Sequence, residues 1–174
     1  MTKKAFKTFW AWQDDAEEKW LRKMSREGWG LKHYNWFIYT FEQIQPTDYV
    51  YKLDYKGNYA DDLETYISLF EDSGWDHVDQ FQNWHYFRTV ATSTIETPDI
   101  YSDTESKVKK YEDLSNVILT VLLSIVTIFF IIVLPADFSF MKVLQIIYFV
   151  LIGLNLFTYV SLRRKVNRLK QEKL

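Results

Sequence analysis

Three histidines and a set of carboxylates are the side chains of this sequence that could perform acid–base or metal chemistry. His33, His77 and His85 have spacings that fit no common metal motif, so we expect hairpin side chains at or near the surface. Most carboxylates begin predicted helices, where the helix dipole favours negative charge, although Asp54 and Asp76 do not. The chain has no cysteine and no phosphate-binding or nucleophile motif. We therefore expect a protein that is not an enzyme and that uses no metal or other cofactor.

Aromatic residues are the strongest unusual feature of the sequence. Residues 1–90 contain all seven Trp, eight of the twelve Tyr and seven of the thirteen Phe. A core of this size needs only part of them, so the rest belong to a sheet face, a pocket or an interface. The alternative is a heavy aromatic core with cross-strand pairs. The residues that we predict to bind a ligand or partner are Trp10, Trp12, Trp36, Tyr49, Tyr51, Tyr55 and Trp84.

The charge of the same region argues against one class of partner. Residues 1–90 contain 11 Lys or Arg against 15 Asp or Glu. An acidic domain without a basic stripe is poorly suited to bind phosphates, so we expect no direct nucleic-acid binding.

Two similar segments must position these side chains. "FKTFWAWQDDAEEKWLRKMSREGWG" runs from Phe6 to Gly30, and "KLDYKGNYADDLETYISLFEDSGWD" runs from Lys52 to Asp76. Each has an apolar stripe at helical spacing, then a glycine and a tryptophan. The predicted N-caps and terminating glycines are Asp14 or Asp15 with Gly28, and Asp61 or Asp62 with Gly74.

Strand patterns surround both predicted helices. One strand precedes each helix, "FKTFWAW" in the first copy and "DYVYKLDY" in the second. A hairpin follows each helix, turning near Asn35-Trp36 and near Asn83-Trp84. Each copy is thus β-α-β-β, and neither copy alone could bury its helix stripe and its sheet face. We predict an α+β fold in which two βαββ repeats form a mainly antiparallel sheet, with two helices on one face, followed by a two-helix transmembrane hairpin.

Two long uncharged stretches predict that hairpin. Leu114 to Ala136 and Val143 to Leu162 contain no charged residue, and about 20 apolar residues cross a bilayer. A buried helix pair of a soluble protein would rarely be apolar on every face. Lysines precede the first stretch and basic residues follow the second, so both termini are expected in the cytoplasm of a multi-pass cell-membrane protein. The basic tail is expected to contact anionic membrane lipids.

These patterns divide the chain into six predicted segments. The N-terminal domain is cytosolic, a polar linker and juxtamembrane segment follow it, and two spans flank a short external loop before a basic cytosolic tail. In that order the segments are residues 1–90, 91–113, 114–136, 137–142, 143–162 and 163–174.

Several sequence motifs occur in a characteristic order. "FKTFWAWQDDAEEKWLRKMSREGWGL", "DYVYKLDY" and "YISLFEDSGW" follow one another within residues 3–90, ahead of the two apolar stretches. In order and spacing they resemble a bacterial family known as domain of unknown function 2812. The resemblance implies a membrane-anchored protein, often encoded beside PadR-type regulators, with a regulatory or stress-related role. It implies no catalytic residue.

Three classes of function are compatible with these patterns. The leading one is a membrane-anchored cytosolic binding module, a sensor or adaptor in regulation or envelope stress, which captures a partner protein such as a cytosolic regulator, or an aromatic or amphiphilic small molecule. The second is a structural membrane protein that forms a homo-oligomer, which a strictly monomeric protein in mild detergent would exclude. The third is an enzyme that uses Asp or His in a cleft, which needs a concave pocket with converging polar groups.

Overall fold

The protein is described from a computed structural model that covers residues 1–56, 63–91, 104–136 and 140–171. It forms two compact units, Met1–Asp103 and Thr104–Leu174. The predicted N-caps Asp61 and Asp62 lie outside the described residues. So do most of the predicted linker, part of the predicted external loop and the end of the basic tail.

The first unit contains two β-α-β-β repeats, which confirms the predicted α+β class. Each repeat forms its own antiparallel sheet, with strand orders β1-β3-β2 and β4-β6-β5. The strands therefore make two three-stranded ladders rather than one continuous sheet. The elements are β1 (Thr2–Phe6), α1 (Asp14–Arg26), β2 (Trp29–Asn35), β3 (Ile38–Gln43), β4 (Tyr49–Tyr55), α2 (Leu63–Asp72), β5 (Asp76–Phe81) and β6 (Trp84–Val90).

Helix α1 begins one residue earlier than the predicted caps require. Gln13 is the N-cap, and its carbonyl oxygen accepts hydrogen bonds from the backbone N–H groups of Ala16 and Glu17. The prediction that Asp14 or Asp15 caps the helix is therefore wrong, because both lie inside the first turn. The helix ends as predicted before Gly28, whose φ of 86° favours a residue without a Cβ.

The two hairpins share a bulge but differ at their turns. The register shifts between Leu31 and His33 in the first hairpin and at the matching place, between His77 and Asp79, in the second. The last pairs before the turns are Asn35 with Ile38 and Phe81 with Trp84. The two predicted Asn-Trp steps are therefore not equivalent, since Trp36 lies in a turn and Trp84 begins a strand.

The main core is shared between the repeats. Leu21 and Met24 of α1 pack with buried residues of both sheets, including Phe41 of β3 and Leu53 of β4. The side chain of Arg22 also donates two hydrogen bonds, of 2.7 and 2.8 Å, to the carboxylate of Asp48 just before β4. Helix α1 of the first repeat therefore binds the second repeat directly.

A smaller cluster lies under the second helix. Val50, Trp75 and Phe87 are buried there, and Tyr66 and Phe70 of α2 pack against them. No described residue of α2 is itself fully buried. The second helix is thus held by fewer buried groups than the first.

The second unit consists of α3 (Thr104–Ile128), a π-helical turn (Phe129–Val133) and α4 (Met141–Gln171). Two segments, Lys107–Val133 and Met141–Gln171, are long and apolar enough to cross a membrane. Few of their apolar residues are buried, unlike those of a core helix in a soluble protein. The structure thus confirms two helices of spanning length and polarity, and with them the coarse form of the predicted hairpin.

Candidate functional site

An aromatic cleft of about 180 Å³ opens in the first unit. Its walls come from the loop before α1, the first turns of α1, the ends of both hairpins, and single residues of β4 and β6. Both repeats therefore build it. The aromatic side chains among its described lining residues are Phe9, Trp10, Tyr34, Trp36, Phe37, Phe81, Trp84 and Tyr86.

A tryptophan pair forms one wall. The rings of Trp10 and Trp12 are stacked, with centroids 5.3 Å apart and planes 13° from parallel. The N-cap residue fixes the loop, because the Trp10 N–H donates to Gln13 Oε1 at 3.0 Å and the Gln13 N–H donates to the Trp10 carbonyl at 2.7 Å. The stack is therefore tied to the start of α1, although Trp10 remains about half exposed.

The turn between β2 and β3 supplies a second wall. Trp36 and Phe37 occupy its two central positions with φ of 39° and 67°. A two-residue hairpin turn of this kind favours Asn-Gly, and a left-handed conformation costs a residue with a bulky side chain about 1 to 2 kcal/mol. Trp36 is also 62% exposed. Strain and exposure together at a cleft wall favour a functional role for this turn.

The second hairpin faces this turn. The ring of Phe81 lies edge-on to Trp36, with centroids 5.4 Å apart. Trp84 begins β6, and its ring contacts Tyr55 of the neighbouring strand at 5.4 Å. Tyr55 therefore supports a cleft residue from behind.

Side chains between the repeats bring the two hairpins together. The backbone N–H of Tyr34 in β2 donates a 2.6 Å hydrogen bond to Oδ2 of Asp79 in β5. The ring of Tyr34 packs against Phe81 and Tyr86, with centroids 5.2 and 5.5 Å away. These contacts between β2 and β5 place both turns beside the first turn of α1.

Glu17 is the polar centre of the cleft. Its Oε1 accepts hydrogen bonds from the hydroxyl groups of Tyr39, at 2.7 Å, and Tyr86, at 3.0 Å. The side chain is a cleft-lining group although Glu17 is only 7% exposed. Within the described residues its Oε2 accepts no hydrogen bond.

Burial sets the protonation of this carboxyl group. Desolvation raises the pKa of Glu17 from 4.5 to about 7, and the nearby Asp14 and Glu18 add to the rise. The two tyrosine hydrogen bonds oppose it without cancelling it. Glu17 is thus divided between its neutral and ionised forms near pH 7.

Two of the predicted binding residues lie elsewhere. Tyr51 is 1% exposed and packs in the main core, and its hydroxyl oxygen accepts the backbone N–H of Leu31 at 3.2 Å. Tyr49 begins β4, and the guanidinium of Arg88 lies 4.8 Å from its ring centre. The other five predicted residues are brought together: Trp10, Trp36 and Trp84 line the cleft, Trp12 stacks on Trp10, and Tyr55 contacts Trp84.

The sequence prediction missed Glu17. The helix dipole had accounted for the carboxylates at the start of α1, and Glu17 was grouped with them. The signal was its spacing, because Glu17 precedes Leu21 by four residues and Met24 by seven, which places it on the buried face of the helix.

The histidines lie apart from the cleft. His33 is exposed beside Asp79, but His85 is only 2% exposed, and its Nδ1 lies 3.3 Å from Nε2 of His77. The prediction that all three are at or near the surface is therefore wrong for His85. Burial lowers the pKa of His85 to about 4. The nearby Asp54 accepts a 2.7 Å hydrogen bond from the hydroxyl group of Tyr66.

A family model described as "Protein of unknown function (DUF2812)" matches residues 13–123. The matched region begins at the N-cap of α1, contains every described element of the cleft from α1 onward, and extends into α3. Comparison with curated proteins and with solved structures gives no match.

Proposed function

The chain belongs to the DUF2812 family of proteins of unknown function, and from the geometry of its cleft we propose that it is a membrane-anchored binding module for an aromatic or amphiphilic small molecule. The observation that supports this proposal is the gathering of aromatic side chains from both repeats around Glu17. Membership of the family agrees with the resemblance found in the sequence and supplies no activity of its own.

The size of the cleft favours a small ligand. Pockets for drug-sized molecules measure roughly 300 to 1,000 Å³, and this one measures about 180 Å³. One aromatic ring with a compact head group matches that volume. A protein partner would need a much larger area, roughly 800 Å² on each side.

The strained turn supports the same proposal. Trp36 and Phe37 hold a left-handed backbone while much of the Trp36 ring faces water, so neither local conformation nor core packing explains the choice of residues. A ligand that covers these rings would offset the free energy lost in the turn.

The proposal places the cleft on the cytoplasmic side of a membrane. The two apolar helices would cross the bilayer as a hairpin, with Lys107 and Lys109 before the uncharged stretch of the first helix and Arg163 and Arg164 after that of the second. Positive residues favour the cytoplasmic side, so both ends of the chain would be cytoplasmic. The basic residues after the second span would also attract anionic lipid head groups.

A module of this kind acts as a sensor or adaptor. Ligand in the cleft would bridge the two repeats through their hairpin turns, and a cytosolic regulator would respond to the liganded form. The role in regulation or envelope stress rests on this coupling.

The test is a binding titration of the full-length protein in mild nonionic detergent. Three water-soluble probes with one benzene ring each are used: benzyltrimethylammonium, the neutral amide N,N-dimethylbenzamide, and benzenesulfonate. Tryptophan fluorescence reports the first unit, because all seven tryptophans precede residue 90. We expect at least one probe to bind, and Trp36→Ala or Trp84→Ala to weaken its binding by about tenfold.

The matched control is Leu69→Ala, which truncates an exposed apolar residue of α2 outside the cleft. It should leave binding unchanged. The proposal fails if no probe binds, or if the tryptophan variants bind every probe as well as the wild type does.

A second candidate function has one observation in its favour. A carboxyl group with a pKa near 7 in a cleft is suited to general acid–base catalysis, so Glu17 could serve an enzyme. However, no Ser, Thr, Lys, Arg or His is among the described residues that line the cleft. A rate enhancement by the wild type that Glu17→Gln abolishes, with ligand binding retained, would favour this candidate.

A further inference from the structure

The charges in the cleft have one sign. Asp14 and Glu17 line it, and its other described lining residues are aromatic, aliphatic or uncharged polar side chains. Both acidic residues belong to the first turns of α1, and the Asp14 charge is close enough to raise the pKa of Glu17. An anionic ligand would therefore meet repulsion, whereas a cation would meet attraction.

The aromatic walls prefer the same charge. The face of an aromatic ring attracts a cation, most strongly for tryptophan. The protein uses this contact beside the cleft, where Lys7 Nζ lies 5.1 Å from the ring centre of Phe9 and 4.6 Å from that of Trp20. Among the described contacts no such lysine or arginine covers Trp36, whose ring is mostly exposed.

A neutral aromatic ligand would make favourable contacts with the aromatic walls of the cleft but not with its carboxyl groups. It could cover the rings, but it would exclude water from Glu17, whose Oε2 has no donor among the described residues. An ionised carboxylate with one oxygen that accepts no hydrogen bond is costly to seal from water, whereas an ammonium group beside that oxygen removes the cost. Among aromatic or amphiphilic ligands, a cation thus matches both parts of the lining.

We infer that the ligand of the cleft is an organic cation, an aromatic or amphiphilic amine or quaternary ammonium compound, with its positive head group at the carboxyl groups of Glu17 and Asp14 and its apolar part against the tryptophans. This inference rests on the proposed function, because it names the ligand class of the same cleft. The Glu17 carboxylate attracts the cation, and the hydroxyl groups of Tyr39 and Tyr86 orient that carboxylate.

Binding of a permanent cation must then depend on pH. The titratable groups that face Glu17 are Asp14 and Glu18 of its own helix, and Tyr34, Tyr39 and Tyr86 of the strands. The pKa values of the three tyrosines are raised above 10, so they stay neutral below pH 9. Glu17 ionises between about pH 6 and pH 8, and cation affinity should rise across that interval.

The same three probes test this inference in the full-length protein, in nonionic detergent at pH 5.5, 7 and 8.5. At pH 8.5 we expect benzyltrimethylammonium to bind roughly tenfold tighter than N,N-dimethylbenzamide, with benzenesulfonate the weakest. The cation affinity should rise severalfold from pH 5.5 to pH 8.5, while the affinity for the neutral probe stays constant or falls. Glu17→Gln should remove the rise and keep the neutral probe bound.

The outcomes separate the two proposals. Equal binding of the cation and the neutral probe, both weakened by Trp36→Ala, would overturn the cation inference and leave the binding function standing. If the wild-type protein bound none of the three probes, the proposed binding function itself would be overturned. The pH series in the wild type needs no variant, so a Glu17→Gln protein that failed to fold would still leave the inference testable, and Asp14→Asn provides a second change at the same head-group position.

Discussion

The two repeats of the first unit share their backbone devices and differ in their buried polar groups. Both helices are followed by a glycine with φ near 85°, both hairpins carry a bulge at the same place, and Trp29 and Trp75 follow the glycines. These shared features end helices and shape hairpins, which any chain with this fold needs. They are explained by folding alone.

The polar groups at matching positions follow another rule. The two repeats are offset by 46 residues, so Glu17 of α1 corresponds to Leu63 of α2. By the same offset Tyr39 corresponds to His85. Tyr39 pairs with Tyr34 across the first hairpin, and His85 pairs with Gln80 across the second. At these positions the first repeat buries a carboxyl group and a tyrosine, whereas the second has a half-buried leucine and a buried histidine. This difference at matching positions agrees with the proposal that the first repeat supplies the carboxyl group of the cleft.

The largest difference expected between the repeats is in core packing. Leu21→Ala should lower the free energy of unfolding by about 2 to 5 kcal/mol, because Leu21 is fully buried between the repeats. Ile67→Ala, at the matching position of α2, should cost about 1 kcal/mol or less, because Ile67 is only partly buried. Urea unfolding of the full-length protein in detergent, followed by tryptophan fluorescence, measures both. Equal losses would show that the two helices contribute equally to one core.

The buried carboxyl group of Glu17 should lower the stability of the protein as pH rises. The folded protein binds the Glu17 proton more tightly than the unfolded chain does, so the free energy of unfolding falls as pH rises from about 4.5 to 7. Glu17→Gln should remove this loss, which amounts to about 3 kcal/mol above pH 8, and should match the wild type near pH 4.5. Unfolding titrations at pH 4.5, 6 and 8 follow the difference.

A matched carboxylate of the second repeat provides the control for that titration. Glu64 lies in the first turn of α2 and is exposed, so Glu64→Gln should leave in place the loss of stability that accompanies ionisation of Glu17. If Glu17→Gln behaved in the same way, burial of Glu17 would not be raising its pKa.

The buried histidine His85 should have the opposite effect and lower the stability of the protein as pH falls. Burial lowers the pKa of His85 from 6.5 to about 4, and the neighbouring His77 adds to the fall. Between about pH 6.5 and pH 4 the unfolded chain therefore binds a proton at His85 that the folded protein does not bind. Up to about 3 kcal/mol of the free energy of unfolding is lost as pH falls across this interval. His85→Gln should reduce this loss, and the exposed His33→Gln should not. Unfolding at pH 4 and pH 7 compares the variants, and equal slopes for both would contradict the assignment.

The sequence predicted what local patterns determine. Apolar spacing and capping glycines located both helices of the repeats, alternation located five of the six strands described in the first unit, and uncharged length located the two apolar helices. The prediction that "FKTFWAW" forms the strand before α1 is wrong, because β1 is Thr2–Phe6 and the residues after it form the loop before α1. The family match confirms the resemblance. Three of the predicted aromatic residues line one cleft because they lie in loops and turns that converge there.

What the sequence did not predict depends on contacts between distant residues. Tyr51 alternates correctly for a strand, but only the packing of α1 across β4 decides that its face is core. The burial of Glu17 likewise depends on hydroxyl groups 22 and 69 residues away. The Trp36–Phe37 turn was located only approximately, because the usual Asn-Gly signal for the turn is missing there.

At the Trp36–Phe37 turn, the residues that would best stabilise the hairpin differ from those that would best bind a ligand. A designer who wanted only a well-formed hairpin would place Asn-Gly at these positions, and the resulting protein would close the turn with less strain. That protein would also lose the wall of the cleft that Trp36 and Phe37 form, so it would fold more stably but would not bind the proposed ligand. The two aromatic residues at this turn are therefore where relatives that have kept the scaffold but given up the ligand should first diverge.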